Sequence, residues 1–268
     1  MKFTNVMAAA VLAAGLSPAL GLAQSAQTWS YQATIYGYFP TISGTTTFPP
    51  PVGSQSASVD MSTILDKLKF AFMGSFEASN GQWGVLADVI YVDVGGNKGQ
   101  TRDFSLGNVG LPAGVSANLG YDLKGWITTV AGTYRLVSAP GANVDLIGGA
   151  RVLNIRPSLN WSLTGNVGSV SVVDQTGNRE SKEQNWDVIV GVKGRARLGD
   201  GAWFFPYYAD VGTGESKFTW QAMGGVGYAF SWGDVVGAWR YIDYSMKSDQ
   251  TVQDLSFNGP AIAAVFRW

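Results

Sequence analysis

Aromatic residues recur at a fixed interval along this sequence. Two of them stand eight positions apart in four places: Tyr31 and Phe39, Trp83 and Tyr91, Trp126 and Tyr134, and Trp220 and Tyr228. Because successive side chains of a β-strand point to opposite faces, an even spacing puts both rings on one face. Eight steps of ~3.3 Å, tilted by ~45°, rise roughly 19 Å, close to the ~25 Å apolar band between the aromatic girdles of a transmembrane barrel. Between the rings this face is almost wholly apolar or small, so the spacing predicts strands that cross a lipid bilayer.

Alternating apolar and polar residues, interrupted by turn-like sequences, predict ten strands: 28–40, 67–79, 83–96, 117–137, 143–159, 184–198, 202–213, 217–231, 235–247 and 253–268. Four joints are short and turn-like: 79–82, 139–142, 199–201 and 231–234. A second class of joint alternates with them: 41–66, 97–116, 160–183, 213–216 and 248–252. Transmembrane barrels have tight turns at one end and longer loops at the other. We therefore predict an all-β fold, a transmembrane antiparallel up-and-down β-barrel of about ten strands, with 8 or 12 strands as alternatives and both termini in the periplasm.

Strand parity also predicts which charges face the barrel interior. These form a hypothetical lumen charge network: Glu77, Asp88, Asp145, Arg151, Asp187, Lys193, Arg195, Arg197, Asp210 and Arg240. Because a barrel of this size has little free interior, charges inside it must pair with one another. The sequence favours a salt-bridge network that plugs the barrel. The alternative is a constricted, charge-lined pore in which Lys193, Arg195 and Arg197 form a cationic ladder on one strand.

A few residues conflict with this parity. Asp93, Lys124 and Asp243 fall on the lipid-facing side of their strands. Either they lie beyond the apolar band, or a bulge reverses the register before them. Pro206 lies inside a predicted strand, where it lacks the N–H of a ladder hydrogen bond, which predicts a bulge or a position at the rim.

Both ends of the chain carry export signals. Lys2, the apolar run 6–16 and the small residues Gly21 and Ala23 predict a signal peptide over residues 1–23, followed by one outer-membrane β-barrel domain over 24–268. At the other end, Phe266 and Trp268 share one strand face and resemble the C-terminal insertion signal of Gram-negative outer-membrane barrels. We therefore predict the cell outer membrane of a Gram-negative bacterium. The predicted partners are outer-membrane lipid, lipopolysaccharide and, during insertion, the barrel-assembly machinery.

Composition weighs against several classes of function. The net charge of −1 gives no case for nucleic-acid binding. Neither histidine nor cysteine occurs, so a Ser-His-Asp triad and a thiol nucleophile are both excluded. Residues 210–215 lack the full ligand series of a calcium loop, and we predict no catalytic residue, cofactor or metal site. The sequence thus predicts a non-catalytic barrel, narrow or plugged, with an envelope-structural or small-solute role. The alternatives are a narrow porin-like channel and a surface receptor or adhesin that uses the long outer loops.

The first long joint contains two recognisable parts. Met61, Ile64, Leu65 and Leu68 have helical spacing, which predicts one or two helical turns that pack against the barrel mouth or form a partial plug. Residues 41–58 are rich in Thr and Ser and predict an exposed hairpin. Residues 177–185 are polar and charged, which is typical of a solvated loop.

Several short motifs carry a family resemblance: Asp60–Ala78, Trp83–Asp88, Trp186–Arg197, Pro206–Gly214, Thr219–Gln221, Trp239–Tyr241 and Asn258–Pro260. Through them nearly the whole chain after residue 23 resembles a family of small proteobacterial outer-membrane β-barrel proteins without an assigned biochemical activity. The resemblance implies the barrel fold and the outer-membrane location, and it implies no particular activity.

Overall fold

The computed structural model describes residues 28–48, 53–59, 61–100, 105–106, 109–110, 115–167, 170–180, 182–248 and 252–268. The predicted signal peptide, 1–23, lies outside the described residues. The elements in chain order are β1 (Ser30–Tyr38), β2 (Thr41–Phe48), β3 (Gly53–Val59), α1 (Met61–Lys67), β4 (Leu68–Ser79), β5 (Trp83–Gln100), β6 (Ser105–Leu106), β7 (Val109–Gly110), β8 (Val115–Ala139), β9 (Ala142–Val167), β10 (Val170–Glu180), β11 (Glu183–Arg197), β12 (Trp203–Gly214), β13 (Phe218–Ala229), β14 (Asp234–Ser245) and β15 (Val252–Arg267). Among these described elements, no helix has both the length and the apolar character needed to cross a membrane.

Ten of the strands form a closed antiparallel barrel in the order β1, β4, β5, β8, β9, β11, β12, β13, β14, β15. The barrel closes where β15 pairs with β1, from Gln32 opposite Arg267 to Tyr38 opposite Ala261. This confirms the predicted fold class and strand number. The short connections after β4, β8, β11 and β13 lie at one end, which we call the turn end. The opposite rim, where β1 ends and β15 begins, is the loop end.

The loop end contains more strand than the sequence predicted. The hairpin β2–β3 adds to the edge of β15, and β10 pairs with the far part of β9. The predicted loops 97–116 and 160–183 are therefore wrong in large part, as is the solvated loop 177–185, since β10 runs to Glu180 and β11 begins at Glu183. These segments stay extended because neighbouring strands continue to supply each other's backbone partners, out to Gln100 opposite Ala117 and Val115 opposite Gly165.

The turn between β4 and β5 shows how short sequences fix the turn end. The Asn80 side-chain oxygen accepts hydrogen bonds from the backbone N–H of Gln82 (3.1 Å) and of Trp83 (2.8 Å). Gly81 has φ of 92°, a conformation that residues with a Cβ rarely adopt. This local chemistry sets Ser79 opposite Gly84 and so fixes the register of the whole β4–β5 ladder.

The outer face of the barrel carries the aromatic pairs at matching heights. Trp83 contacts Tyr134 with ring centroids 4.6 Å apart, and at the other end of the same two strands Tyr91 contacts Trp126 at 4.3 Å. The eight-residue intervals on β5 and β8 therefore align into two aromatic contacts with outward-facing valines and alanines between them. Apolar side chains that point outward are widely exposed, Val188 at 67% and Ile35 at 64% among them. An apolar surface of this extent is not suited to water.

The charges that conflicted with parity lie beyond this apolar band. The β5–β8 register is continuous from Trp83 opposite Tyr134 to Gln100 opposite Ala117. Asp93 and Lys124 therefore stay on the outer face, two residues nearer the loop end than the Tyr91–Trp126 contact. They form an ion pair with a 3.4 Å separation between Lys124 Nζ and Asp93 Oδ2. No bulge in the β5–β8 ladder reverses their parity, and their place past the aromatic contact favours the band-edge explanation.

The same holds for Asp243, because the β13–β14 ladder is also continuous. Its carboxylate accepts a hydrogen bond of 3.1 Å from the Tyr241 hydroxyl, and Tyr241 packs against Trp220 at 4.7 Å. Pro206 lies neither in a bulge nor at the rim. The pairing of β12 with β13 omits Phe205 and Pro206 and resumes at Tyr207 with its register unchanged. The missing N–H of Pro206 thus interrupts the ladder locally without shifting it.

Candidate functional site

The barrel interior divides into three layers along its axis. The layer nearest the turn end is a cavity of about 460 Å³ with charged side chains on its wall, which we call the vestibule. The middle layer is a set of charged and hydrogen-bonded side chains, which we call the belt: Tyr36, Asp88, Thr129, Arg151, Asp210, Thr219, Gln221 and Arg240. The layer nearest the loop end is an apolar cavity of about 270 Å³, which we call the chamber.

One half of the belt centres on Arg151 of β9. Its guanidinium forms an ion pair with Asp210 of β12, and both side chains are wholly inaccessible to solvent. The guanidinium also donates to the hydroxyls of Thr129, at 3.4 Å, and Thr219, at 3.5 Å. β11 lies between β9 and β12, so Arg151 and Asp210 meet across its inward face. The inward residue there is Gly191, and a Cβ at that position would lie 2.7 Å from the Asp210 Cβ.

The other half of the belt centres on Arg240 of β14. Its guanidinium pairs with Asp88 of β5 at 2.8 Å and donates to Gln221 Oε1 at 3.2 Å. The Tyr36 hydroxyl donates to Asp88 at 2.7 Å and accepts from Arg240 at 3.0 Å. Three barrel strands separate β14 from β5, so this pair crosses the lumen. In all, the belt draws side chains from seven of the ten barrel strands.

The vestibule holds the remaining interior ion pairs. Lys193 of β11 pairs with Glu77 of β4 across the lumen. Asp145 pairs with Arg135, its direct neighbour on β8.

At the turn end the buried Asp234 receives two arginines, Arg195 at 3.2 Å and Arg267. Arg195 also lies 3.7 Å above the ring of Phe204. The cations of the vestibule therefore lie beside acids, and the predicted cationic ladder does not form a continuous positive stripe. Arg197, its third member, is exposed at the end of β11.

The structure brings eight of the ten predicted interior charges into ion pairs: Glu77, Asp88, Asp145, Arg151, Lys193, Arg195, Asp210 and Arg240. Asp187 is buried near the loop end, where its carboxylate accepts a hydrogen bond of 2.9 Å from the Ser216 N–H. Arg197 lies outside the network. The functional role of the set stays a prediction.

The predicted network omits seven interior partners: Tyr36, Thr129, Arg135, Thr219, Gln221, Asp234 and Arg267. A signal existed for Arg135 and Arg267, because each lies one residue from an outward aromatic, Tyr134 and Trp268, and so has inward parity. Asp234 was assigned to the turn before β14. Across the described residues, no group of three or more acidic side chains is arranged to hold a metal ion.

The chamber is formed by inward-facing apolar residues near the loop end, and α1 covers it. Its buried lining includes Met73, Ile90, Ile127, Leu153 and Ile155 from four neighbouring strands. Met61, Ile64, Leu65 and Leu68 at and after α1 line it as well. These are the four residues whose spacing predicted a helix. Tyr36 lines both the chamber and the vestibule, so the belt lies between the two cavities.

The C-terminal aromatics belong to the outer face at the turn end. Phe266 packs against Trp232 with centroids 5.6 Å apart, and Trp268 stacks on Tyr31 at 6.1 Å. They therefore contribute to the aromatic girdle of the barrel. Their role as an insertion signal stays a prediction.

No protein-family model matches this chain. A search of curated proteins likewise finds no match. The solved structures that are similar in fold are outer-membrane β-barrel proteins.

The outer membrane protease OmpT from Escherichia coli has 12% identity, covering 91% of this chain and 97% of its own, with a TM-score of 0.45. The attachment invasion locus protein Ail of Yersinia pestis has 12% identity over 90% and 98%, with a TM-score of 0.30. The Ralstonia pickettii toluene transporter TbuX has 12% identity over 90% and 89%, with a TM-score of 0.30. At these values the likeness carries no activity to this chain.

Proposed function

We propose that this protein is an integral outer-membrane β-barrel of a Gram-negative bacterium with a closed interior, acting without catalysis in an envelope-structural or small-solute role. The outer face supports membrane insertion, because exposed apolar side chains lie between aromatic contacts such as Trp83–Tyr134 and Tyr91–Trp126. Its partners are then outer-membrane lipid and lipopolysaccharide, with the barrel-assembly machinery during insertion.

The belt is the observation that carries the closed interior. A conducting pore needs a continuous hydrated path, and within the belt the side chains of the Arg151–Asp210 pair are wholly inaccessible to solvent. The second pair, Arg240–Asp88, crosses the lumen and is tied to Tyr36 and Gln221. This favours a plugged barrel over the porin-like channel.

The interior chemistry supports a non-catalytic role. The full sequence has no histidine, the side chain that most often moves protons near neutral pH. The carboxylates of Asp88, Asp145 and Asp210 each lie in an ion pair with an arginine, where they stabilise the fold.

Membrane insertion and closure are tested separately. Insertion predicts recovery in the outer-membrane fraction and heat-dependent migration on SDS gels, and recovery as a soluble periplasmic protein would contradict it. Closure predicts that proteoliposomes do not swell in arabinose. Swelling that changes when Arg195→Glu reverses the charge of a vestibule wall would instead establish the channel alternative.

A second candidate function, a surface receptor or adhesin, rests on one observation. β8, β9 and β10 continue far beyond the closed part of the barrel, where residues 158–167 pair with residues 170–180 and with β8. Expressing cells should then lose adherence to cultured epithelial cells when residues 158–180 are replaced by a short turn. Equal adherence of the shortened and full-length proteins, with both folded, would remove this candidate.

A further inference from the structure

The chamber at the loop end differs chemically from the rest of the interior. Ile127, Leu153 and Ile155 on its wall are at least 91% buried, and Ile64 of α1 faces it from above. The belt separates it from the charged vestibule, and Tyr36 is shared by both cavities. The upper barrel therefore encloses apolar space, although the belt below it is polar.

The hydroxyl groups of the chamber wall are already engaged. Two hydroxyls occur in its described lining, and both donate to partners outside it: Tyr38 to the Arg240 carbonyl at 3.1 Å and Tyr36 to Asp88 at 2.7 Å. The Tyr38 N–H lies 3.1 Å from the Met73 sulfur. A charged or strongly polar ligand would therefore lose its hydration and gain few partners from this wall, which is costly.

Size and shape favour a small apolar molecule. An apolar cavity of ~150 Å³ inside a protein stays dry and accepts benzene. The chamber, at about 270 Å³, is larger than this and has room for one or two fused aromatic rings or a short alkyl chain. Met61 and Met73 add flexible thioethers to its wall, which adapt to ligands of different outline and contact aromatic rings favourably.

We infer that the chamber is a binding site for a small uncharged hydrocarbon, with α1 as its cover. The inference goes beyond the closed barrel proposed above and rests on its insertion in a membrane. The seven residues of α1 are too few for a stable isolated helix, so contact with the chamber wall holds it in place. An occupant would add to that contact.

Photolabelling with an apolar diazirine tests this site. Wild-type protein in lipid nanodiscs is irradiated with 3-trifluoromethyl-3-phenyldiazirine, and labelled residues are identified by mass spectrometry. Val188 and Val190 on the outer face serve as the lipid readout. We expect label also on Leu153 and Ile155, which face inward and cannot touch lipid, and we expect excess naphthalene to remove that inner label.

Filling the chamber should abolish the inner label selectively. Ile155→Trp is expected to lower labelling of Leu153 roughly tenfold, as for loss of a binding site. The matched variant Val190→Trp, on the lipid face, should leave it unchanged. If heat-dependent migration shows that Ile155→Trp is unfolded, the variant Ile64→Trp, in the helix that covers the chamber, is used in its place. Naphthalene competition in the wild-type protein tests the same site without any substitution.

The outcomes separate the two proposals. Label on Val188 and Val190 with none on Leu153 or Ile155 in folded wild type would overturn the binding site alone. Inner label that naphthalene does not displace would also overturn it. Absence of label on Val188 and Val190 would count against membrane insertion.

Discussion

Replacing Asp210 by alanine tests whether the belt is a dry, mutually dependent structure. The Arg151 guanidinium would lose the one carboxylate that lies within ion-pair distance among the described residues. It would keep two long hydrogen bonds, to Thr129 at 3.4 Å and Thr219 at 3.5 Å. Both partners of the pair are inaccessible to solvent, so water cannot replace the lost carboxylate without opening the barrel. Breaking a buried pair in this way costs ~3–5 kcal/mol, and we expect Asp210→Ala to lower the free energy of unfolding by that amount.

The assay is reversible urea unfolding of the protein in lipid vesicles, followed by tryptophan fluorescence. The double variant Arg151→Met with Asp210→Leu is the matched control, because it removes both charges and keeps much of the volume. We expect the double variant to be more stable than Asp210→Ala, since neither charge is then left unpaired.

Two results would refute this reasoning. A loss below ~1 kcal/mol for Asp210→Ala would show that the pair behaves like an exposed surface pair and that water reaches it. A double variant less stable than the single one would show that the charges are not the source of the cost.

Two further predictions concern glycine and turn positions. Gly191→Ala is expected to destabilise the barrel by ~1–3 kcal/mol in the same assay, because the added Cβ would lie 2.2 Å from the Ala209 carbonyl oxygen. The control Gly148→Ala should be neutral, because the added Cβ would meet open space. Equal effects of the two substitutions would contradict the packing argument. Asn80→Ala removes the acceptor for two backbone N–H groups of the β4–β5 turn and should cost ~1 kcal/mol; no measurable change would mean that water satisfies those groups equally well.

Much of the barrel was predictable because two environments act on its strands at once. A lipid-like exterior and a packed interior impose a period of two on every strand, so Trp83 and Tyr91 on one strand matched Tyr134 and Trp126 on the next. Past the band this constraint disappears. No aromatic pair at the eight-residue interval marks residues 97–100 of β5 or 160–167 of β9. Both segments were therefore predicted as loops, although residues 160–167 still alternate in polarity.

The partners inside the barrel were not predictable in the same way. Parity placed Glu77, Lys193, Asp88 and Arg240 inward, but which cation meets which acid depends on the tilt and stagger with which the sheet closes. The charged residues of the inward face gave no indication of the chamber. Leu153 lies on the same face of β9 as Arg151, two residues nearer the loop end, and apolar residues on both faces there were the available signal.

Single-channel recording in planar bilayers tests the closed interior most directly. Wild-type protein, shown by flotation with vesicles and by heat-dependent migration to be inserted and folded, should give no steady conductance steps if, as we propose, the belt between the vestibule and the chamber closes the interior. Steady, ion-selective steps from the folded wild type would contradict a closed barrel and show that its charged interior is a pore.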